Sequence, residues 1–173
     1  MDWEPTFISK EQTKLIGFSF FGDPLRLSPG WTEDNEIGLL WNRFLRYLEQ
    51  HGERAALAIK NLGTFYEVHI YNEETQEKGL FEVFVGAELA DASLAPLDML
   101  IKVLPATLYA VFIIHGEAIV GDWPMQIYGE WLPNSGYELS HQYHIQYHTG
   151  QFKGMDRLAE SSLDVYVPVQ PRP

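Results

Sequence analysis

The fold is decided by residues 107–138, TLYAVFIIHGEAIVGDWPMQIYGEWLPNSGYE. Residues 107–115 alternate and are rich in β-branched and aromatic side chains, which favours a strand. Asp122 and Pro124 are typical of a helix start, and apolar residues recur at helical spacing behind them. The sequence PNSG then ends the helix. This stretch therefore predicts a strand followed by an amphipathic helix.

The same order of elements occurs twice in the chain. In the second half, the helix is followed by two predicted strands, HQYHIQYH and SSLDVYVPV. The first half has a strand at 13–21, a helix that is capped by Thr32 or Asp34 and ends near Gly52, and the strands FYEVHIY and GLFEVFVG. The final strands align as FEVFV and LDVYV, with an acid and an aromatic ring in the same register. We therefore predict an α+β fold of two pseudo-symmetric strand-helix-strand-strand modules.

The modules span about 12–89 and 107–170, within one globular domain that covers all 173 residues. The connector 90–106 is apolar enough to pack against them, with a short helix around 97–103, so it is not a flexible tether. The two modules are expected to share one sheet or one core. Residues 1–11 are expected to form an irregular lead-in.

The charge of the chain narrows the class of partner. The formal net charge is −12, and the 12 lysine and arginine residues are scattered. Because nucleic-acid surfaces need clustered basic residues, direct nucleic-acid binding is not expected. An acidic protein would attract a cationic ligand, although acidity for solubility alone is an equal explanation.

Several kinds of site are excluded by what the sequence lacks. It contains no cysteine, no signal-peptide core and no apolar run long enough to span a bilayer, so a soluble, cytoplasmic protein is expected. His144 and His148 stand about 13 Å apart along an extended strand, too far to share one metal ion. Nucleophile-elbow, phosphate-loop and HExxH motifs are missing. We therefore predict neither a metal nor a cofactor.

The candidate ligand-binding residues follow from the alternation of the strands. In the last strand of each module, one face is aliphatic and the other carries an acid and a ring, which suits an organic cation. An ordinary solvated sheet face is the alternative, but the repetition favours a groove shared by the modules. The residues on this predicted polar face are Glu67, Tyr71, Glu82, Phe84, Asp164 and Tyr166. Tyr147, Trp41 and Phe112 complete the set, although the helical stripe equally predicts Trp41 as core.

Five segments spread over nearly the whole chain carry a family resemblance: EIGLLWNRF, YEVHIYNEETQEKGLFEVFVGAEL, LPATLYAVFIIHGE, IYGEWLPNSGYEL and DVYVPVQP. Together they resemble the GyrI-like effector-binding domain, the ligand-binding part of many multidrug-sensing bacterial regulators. The resemblance implies an eight-stranded antiparallel sheet with helices on one face. It also implies a channel between the modules that takes cationic or amphipathic compounds onto an aromatic platform. A standalone binding protein, linked to regulation or resistance, is the expected form.

One position departs from the family pattern. Many members carry an acid in an F-E-x-Y motif after the second helix, and here Ile145 stands in its place while Tyr147 is kept. Asp164 and Tyr166 match positions that line the family's pocket. If the ligand is a cation, Asp164 would need help from Glu82 or Glu67; otherwise the ligand is neutral.

Two other functions remain open alongside small-molecule binding. Some relatives are hydrolases of cyclopropane-bearing compounds, in which a buried glutamate would activate water. Others act as protein-interaction modules, such as a gyrase inhibitor, and an exposed edge strand would permit a homodimer. The missing acid at Ile145 counts against the hydrolase.

Overall fold

The computed structural model describes residues 4–173. It contains nine strands, β1 (Thr6–Lys10), β2 (Thr13–Gly22), β3 (Phe65–Ile70), β4 (Phe81–Glu88), β5 (Leu100–Leu104), β6 (Thr107–His115), β7 (Tyr137–Leu139), β8 (Tyr143–His148) and β9 (Ser162–Pro171). The helices are α1 (Glu36–Ala58), α2 (Glu73–Lys78), a π-helix over Met125–Trp131 and α3 (Leu132–Asn134), which continues it. Short 3-10 turns lie at Ala92–Leu94, Gly116–Val120 and Met155–Glu160. Within these described residues, no helix is long and apolar enough to cross a membrane.

All strand pairs are antiparallel and form one sheet in the order β1-β6-β9-β8-β3-β4-β2-β5, with β7 paired to β9. The strand order is pseudo-symmetric about its centre, because β5 flanks β2 in the first module as β1 flanks β6 in the second. The modules meet where β3 pairs with β8. The predicted α+β fold with two modules in one antiparallel sheet is confirmed.

Several local predictions were wrong. Residues 6–10 form the edge strand β1 instead of an irregular lead-in, and 100–104 form β5 where a helix was expected. A short helix, α2, connects β3 to β4. The described residues therefore form nine strands where the family resemblance implied eight.

The first helix differs from the prediction at both ends. Its N-cap is Asn35, whose side chain accepts hydrogen bonds from the Ile37 and Gly38 N–H groups, while the Thr32 hydroxyl accepts from the Asp34 N–H. The backbone kinks at His51 and then continues to Ala58.

Both helices pack on one face of the sheet, which we call the outer face. Leu40 and Phe44 of α1 are buried against Val83 and Val85. In the second module, Ile127 and its neighbours pack on the aliphatic side of β9. Strand register shows that these two sides are one face, because Val85, Glu67, Gln146 and Val165 stand opposite one another in a row.

The sheet curls strongly around its other face, which we call the inner face. Only two residues separate Lys10 from Thr13 and Leu104 from Thr107, so each pair of Cα atoms lies at most about 11 Å apart. In a flat sheet the strands joined by these links would be six positions apart, or about 29 Å. Only a sheet closing towards a barrel can satisfy both links.

A pair of glycines marks one site of close backbone approach in the curled sheet. Gly17 and Gly86 face each other in register on β2 and β4. A Cβ at Gly17 would lie 2.0 Å from the Val85 carbonyl oxygen, and one at Gly86 would lie 2.2 Å from the Ile16 carbonyl oxygen. Both positions therefore require glycine.

Candidate binding site on the inner face

The inner face is lined by apolar and tyrosine side chains from both modules. One buried cluster holds Leu15, Tyr66, Val68 and Phe84 from the first module together with Tyr109, Val111, Tyr143, Ile145 and Tyr166 from the second, and Leu104 at the edge. The hydroxyls of Tyr109 and Tyr143 are hydrogen bonded at 2.6 Å. The curled sheet thus gives the modules one shared interior.

Three tyrosines at one end of this interior surround the side chain of Lys10. The Lys10 Nζ atom lies 5.1 Å from the ring centre of Tyr166, 5.6 Å from that of Tyr147 and 6.0 Å from that of Tyr66. We call these three residues the tyrosine cage. Each distance is within the range in which a cation is attracted to an aromatic ring.

The strand register explains how the cage forms. Tyr66 on β3 stands opposite Tyr147 on β8, and their ring centres are 4.9 Å apart in an edge-to-face contact. Tyr166 on β9 lies next along the sheet, with its ring centre 5.6 Å from that of Tyr147. Two of the rings come from the second module and one from the first. The cage therefore exists only because the modules are joined.

The cage tyrosines attract a cation through their ring faces. Burial raises the pKa of Tyr66 and of Tyr166, and neighbouring tyrosines and carboxylates add to both shifts. Both hydroxyls therefore stay protonated and neutral at physiological pH. The attraction for a cation comes from the ring quadrupoles.

A cavity of about 270 Å³ lies beside the cage, lined by Lys60, Asn61, Thr64, Tyr66, Glu88 and Tyr147. Its polar rim contains an exposed ion pair, Lys60 to Glu88, at 2.8 Å. A second cavity, of about 310 Å³, lies around His115, Gln151 and Lys153 and has no phenylalanine, tyrosine or tryptophan in its wall. Of these two cavities, the one beside the cage has both tyrosine rings and charged side chains in its wall.

The two acids predicted to converge are on the inner face, but they do not meet. Glu82 is held by Lys102 at 2.7 Å and by the Ser19 hydroxyl. Asp164 stands opposite Tyr147, next to the cage, and burial raises the pKa of its carboxyl. Three strands and four residues of register separate the acids, which is about 14 Å across the sheet and about 13 Å along it. The repeat therefore places the two acids at symmetric positions on opposite sides of the seam, far from each other.

Phe84, Tyr147 and Tyr166 lie on the inner face as predicted, whereas the remaining candidates lie on the outer face. Phe112 is buried under the second helix, where its ring packs edge-on against Trp131. Trp41 on α1 donates its indole N–H to Glu67 at 2.5 Å. Tyr71 contacts His144.

The prediction that Glu67 shares a face with Glu82 and Asp164 was therefore wrong. Faces were assigned by assuming that the apolar side of each strand meets the helices. At the module seam the reverse holds: Tyr66 and Val68 face inward, and Glu67 lies under α1.

The outer side of the seam is a buried polar strip formed by Glu67, His69, His144, Gln146 and His148. The Glu67 carboxylate is 2.7 Å from the His69 Nε2 atom. Burial alone would raise the pKa of Glu67, but hydrogen bonds from His69 and Trp41, together with the charges of His69 and His148, outweigh it, so the pKa is lowered. Burial lowers the pKa of His148 to about 4 and that of His144 well below its usual value.

The buried polar strip is closed by rings from both helical layers. Trp41 packs edge-on against His148 at 4.8 Å, and Trp123 packs edge-on against His144 at 5.4 Å. Four buried polar atoms here find no hydrogen-bond partner among the described residues: His144 Nε2, Gln146 Oε1, His148 Nε2 and Tyr128 OH. No group of three or more histidine, cysteine, aspartate or glutamate residues in the described chain is arranged to hold a metal ion.

Sequence reasoning missed Lys10 and Tyr66. Lys10 was missed because its segment was expected to be irregular. Tyr66 was missed because it lies on the opposite face of the predicted strand FYEVHIY from Glu67 and Tyr71, the residues of this strand that were predicted to bind the ligand. Its pairing with Tyr147 across β3 and β8 is a contact between the modules, which a single-strand pattern cannot give.

Comparison with known proteins gives one family and several structural neighbours. A family model described as integron-associated effector binding protein matches residues 6–169. A search of curated proteins found no match.

Three solved structures illustrate the structural likeness. SAV2435 bound to tetraphenylphosphonium is 12% identical with a TM-score of 0.66, over 96% of this chain and 94% of that chain. An integron cassette protein from the mobile metagenome of Vibrio cholerae is 13% identical with a TM-score of 0.55, over 97% of both chains. EcmrR in a complex with DNA is 13% identical with a TM-score of 0.67, over 98% of this chain and 58% of EcmrR. At these identities the likeness shows the fold alone.

Proposed function

Because the chain belongs to the family of integron-associated effector-binding proteins, we propose that it binds a cationic or amphipathic small molecule on the inner face. The cationic group would sit in the tyrosine cage, and the apolar part would cover the tyrosine-lined wall beside it. The observation that carries this proposal is the convergence of three rings from both modules on one ammonium group.

The chemistry of the cage supports this class of ligand. A cation over an aromatic face gains about 0.5–2 kcal/mol, more when water is excluded, and three faces act together here. Apolar area buried against the walls adds about 25 cal/mol per Å². Because the cavity of about 270 Å³ is at the small end of the range for ligand pockets, part of a drug-sized ligand would extend over the rim.

The charges near the cage would select for a positive ligand. Asp164 stands beside Tyr147 on the inner face, and Glu88 lies in the cavity wall. Asp164 therefore takes the role of the family acid that Ile145 replaces, with Glu88 in place of the expected help from Glu82 or Glu67. The tetraphenylphosphonium bound by SAV2435 is a lipophilic cation of this kind.

The test is a calorimetric titration with tetraphenylphosphonium and with benzyltrimethylammonium. We expect saturable binding, and a rise in melting temperature that grows with ligand concentration. Tyr147→Ala should weaken binding by tenfold or more. Tyr137→Ala is the matched control, because Tyr137 stacks on Phe7 and Trp131, away from the cage.

Two results would reject the proposal. One is the absence of binding with both cations and with neutral amphiphiles of the same size. The other is that Tyr147→Ala and Tyr137→Ala weaken ligand binding equally, since this would mean that the ligand does not bind at the tyrosine cage.

We further propose that such binding serves sensing or resistance without direct contact between this chain and DNA. The net charge of −12 supports this, because it would repel a phosphate backbone. In a gel-shift assay at low salt we expect no retained DNA. Retention that falls steeply with added salt would contradict this part of the proposal.

A further inference from the structure

Lys10 holds the position in which the proposed ligand would place its own cation. Its ammonium is the group on which the three cage rings converge. We propose that Lys10 is the specificity-determining residue of the site: a tethered cation that a ligand must displace, so that only weakly hydrated, permanently charged head groups bind well. This inference rests on the proposed function and refines its ligand class to quaternary ammonium and phosphonium ions.

Lys10 is delivered to the cage by the strand that carries it. It is the last residue of β1, where it pairs with Thr107 of β6. β1 is an edge strand of the sheet, and its pairing runs along β6. The register places Lys10 on the inner face, and its side chain extends through the interior of the curled sheet to the rings of Tyr166, Tyr147 and Tyr66. The ammonium is thus at the end of a flexible side chain whose backbone is fixed in the sheet.

The rings hold the Lys10 ammonium without help from an ion pair. No carboxylate of the described residues lies within salt-bridge distance of its Nζ atom. The nearby acid in the cavity wall, Glu88, is bound by Lys60 at 2.8 Å. Burial lowers the pKa of Lys10, and the charge of Glu88 only partly opposes that shift. A cation held in this way is easier to displace than one in a hydrogen-bonded ion pair.

Competition with Lys10 decides which cations can bind. A primary ammonium is a compact, strongly hydrated charge that gives up its water reluctantly. A quaternary ammonium or phosphonium has no N–H groups to satisfy and presents apolar groups to the rings, so it gains more from the cage. Primary amines have no such advantage over the lysine already present. The cage with its lysine therefore favours quaternary over primary head groups.

The competition also depends on pH. The charged and titratable groups around the Lys10 ammonium are Tyr66, Tyr147, Tyr166, Glu88 and Lys60, and Asp164 lies next to the cage opposite Tyr147. As pH rises towards the lowered pKa of Lys10, its ammonium loses its charge and competes less. A ligand with a fixed charge should therefore bind more tightly as pH rises towards this lowered pKa.

The experiment compares wild type with Lys10→Met, which keeps the length of the side chain and removes its charge. Lys14→Met is the matched control, because it removes one exposed lysine from β2, the next strand along the chain. Calorimetry would measure the affinities for benzyltrimethylammonium, benzylamine and benzoate at pH 7 and pH 9. We expect Lys10→Met to bind benzyltrimethylammonium at least tenfold more tightly than wild type and to lose the pH dependence, while Lys14→Met matches wild type.

Each of the other outcomes either supports or overturns the inference. If wild type binds benzyltrimethylammonium and Lys10→Met binds it no better, the inference is overturned and the proposed function stands. If wild type binds benzoate and Lys10→Met loses it, Lys10 is a counter-ion for acidic ligands, which also overturns the inference. If only Lys10→Met binds the cation, the inference is supported and the wild-type function proposed above fails for this ligand. Unchanged melting temperature of Lys10→Met without ligand would exclude a general folding effect.

Discussion

The two faces of the seam between β3 and β8 use the same pair of strands in opposite ways. Tyr66 and Tyr147 point into the curled sheet, and the next residues along each strand, Glu67 and His148, point out beneath the helices. On the inner face, neutral rings surround a single cation at the edge of a cavity. On the outer face, a carboxylate and three histidines are sealed under tryptophan rings.

The residues of the two faces therefore differ in what they do for the protein. The outer carboxylate is already satisfied by partners within the protein, so it serves stability. The inner cage surrounds a lysine that is in no ion pair of the described residues, which supports its proposed role as a ligand site. Four predictions, from the largest expected effect to the smallest, test this separation.

Replacing the buried carboxylate should have the largest effect. Glu67→Ala leaves the Trp41 N–H and the His69 imidazole without their partner, and breaking such a buried pair typically costs about 3–5 kcal/mol. Urea unfolding should show this loss. Glu67→Gln, which keeps an acceptor for Trp41, should lose less. A loss under about 1 kcal/mol, together with weaker ligand binding, would make the outer face the binding site.

Acid should destabilise the outer face through His148. The unfolded chain takes up a proton on this residue near its usual pKa of about 6.5, whereas the folded chain does so only at about 4. Stability is therefore lost as pH falls from about 6.5 to 4, by about 3 kcal/mol. His144 acts in the same direction. Across this pH range, the free energy of unfolding of His148→Phe should depend less on pH than that of wild type. The control His51→Phe, which changes an exposed histidine, should keep the wild-type pH dependence.

Removing one ring of the cage should weaken binding, and the ligand-free protein is the reference for any accompanying loss of stability. Tyr166→Ala should reduce affinity for tetraphenylphosphonium about tenfold, the equivalent of about 1.4 kcal/mol. Tyr166→Phe keeps the ring and should bind within about threefold of wild type. If the phenylalanine variant loses as much affinity as the alanine variant, the hydroxyl and not the ring face holds the ligand.

The acid at the far corner of the inner face should matter least. Glu82 is partly exposed and paired with Lys102, so Glu82→Gln should change the unfolding free energy by less than about 1 kcal/mol. Affinity for tetraphenylphosphonium should stay within about twofold. A selective loss of cation binding in this variant would restore the original hypothesis that Glu82 and Asp164 share the ligand.

The sequence was sufficient for the strand-helix-strand-strand order within each module because each module repeats the same local signals. The acid and ring in FEVFV and LDVYV did occupy one face of the sheet. Their separation could not be read from the repeat, because it depends on which strand of each module joins the other. With β3 and β8 at the seam, the last strands lie apart.

The errors at Glu67 and Lys10 have a common physical origin. Alternation in a strand gives two faces but does not say which one the helices cover. At β3 the polar face is the covered one, because Trp41 and His69 supply partners for the carboxylate. Lys10 belongs to a segment whose partner strand, β6, lies about a hundred residues along the chain. Only the closed sheet brings that lysine to the cage.

The placement of β1 also sets an order for folding. β1 leaves the ribosome first, yet it cannot dock until β6 has been made about a hundred residues later, and such distant pairings form slowly. The edge of β1 therefore stays unpaired in every nascent chain until residues 107–111 have been made. The cage forms later still, because two of its rings belong to β8 and β9, which follow β6 in the chain.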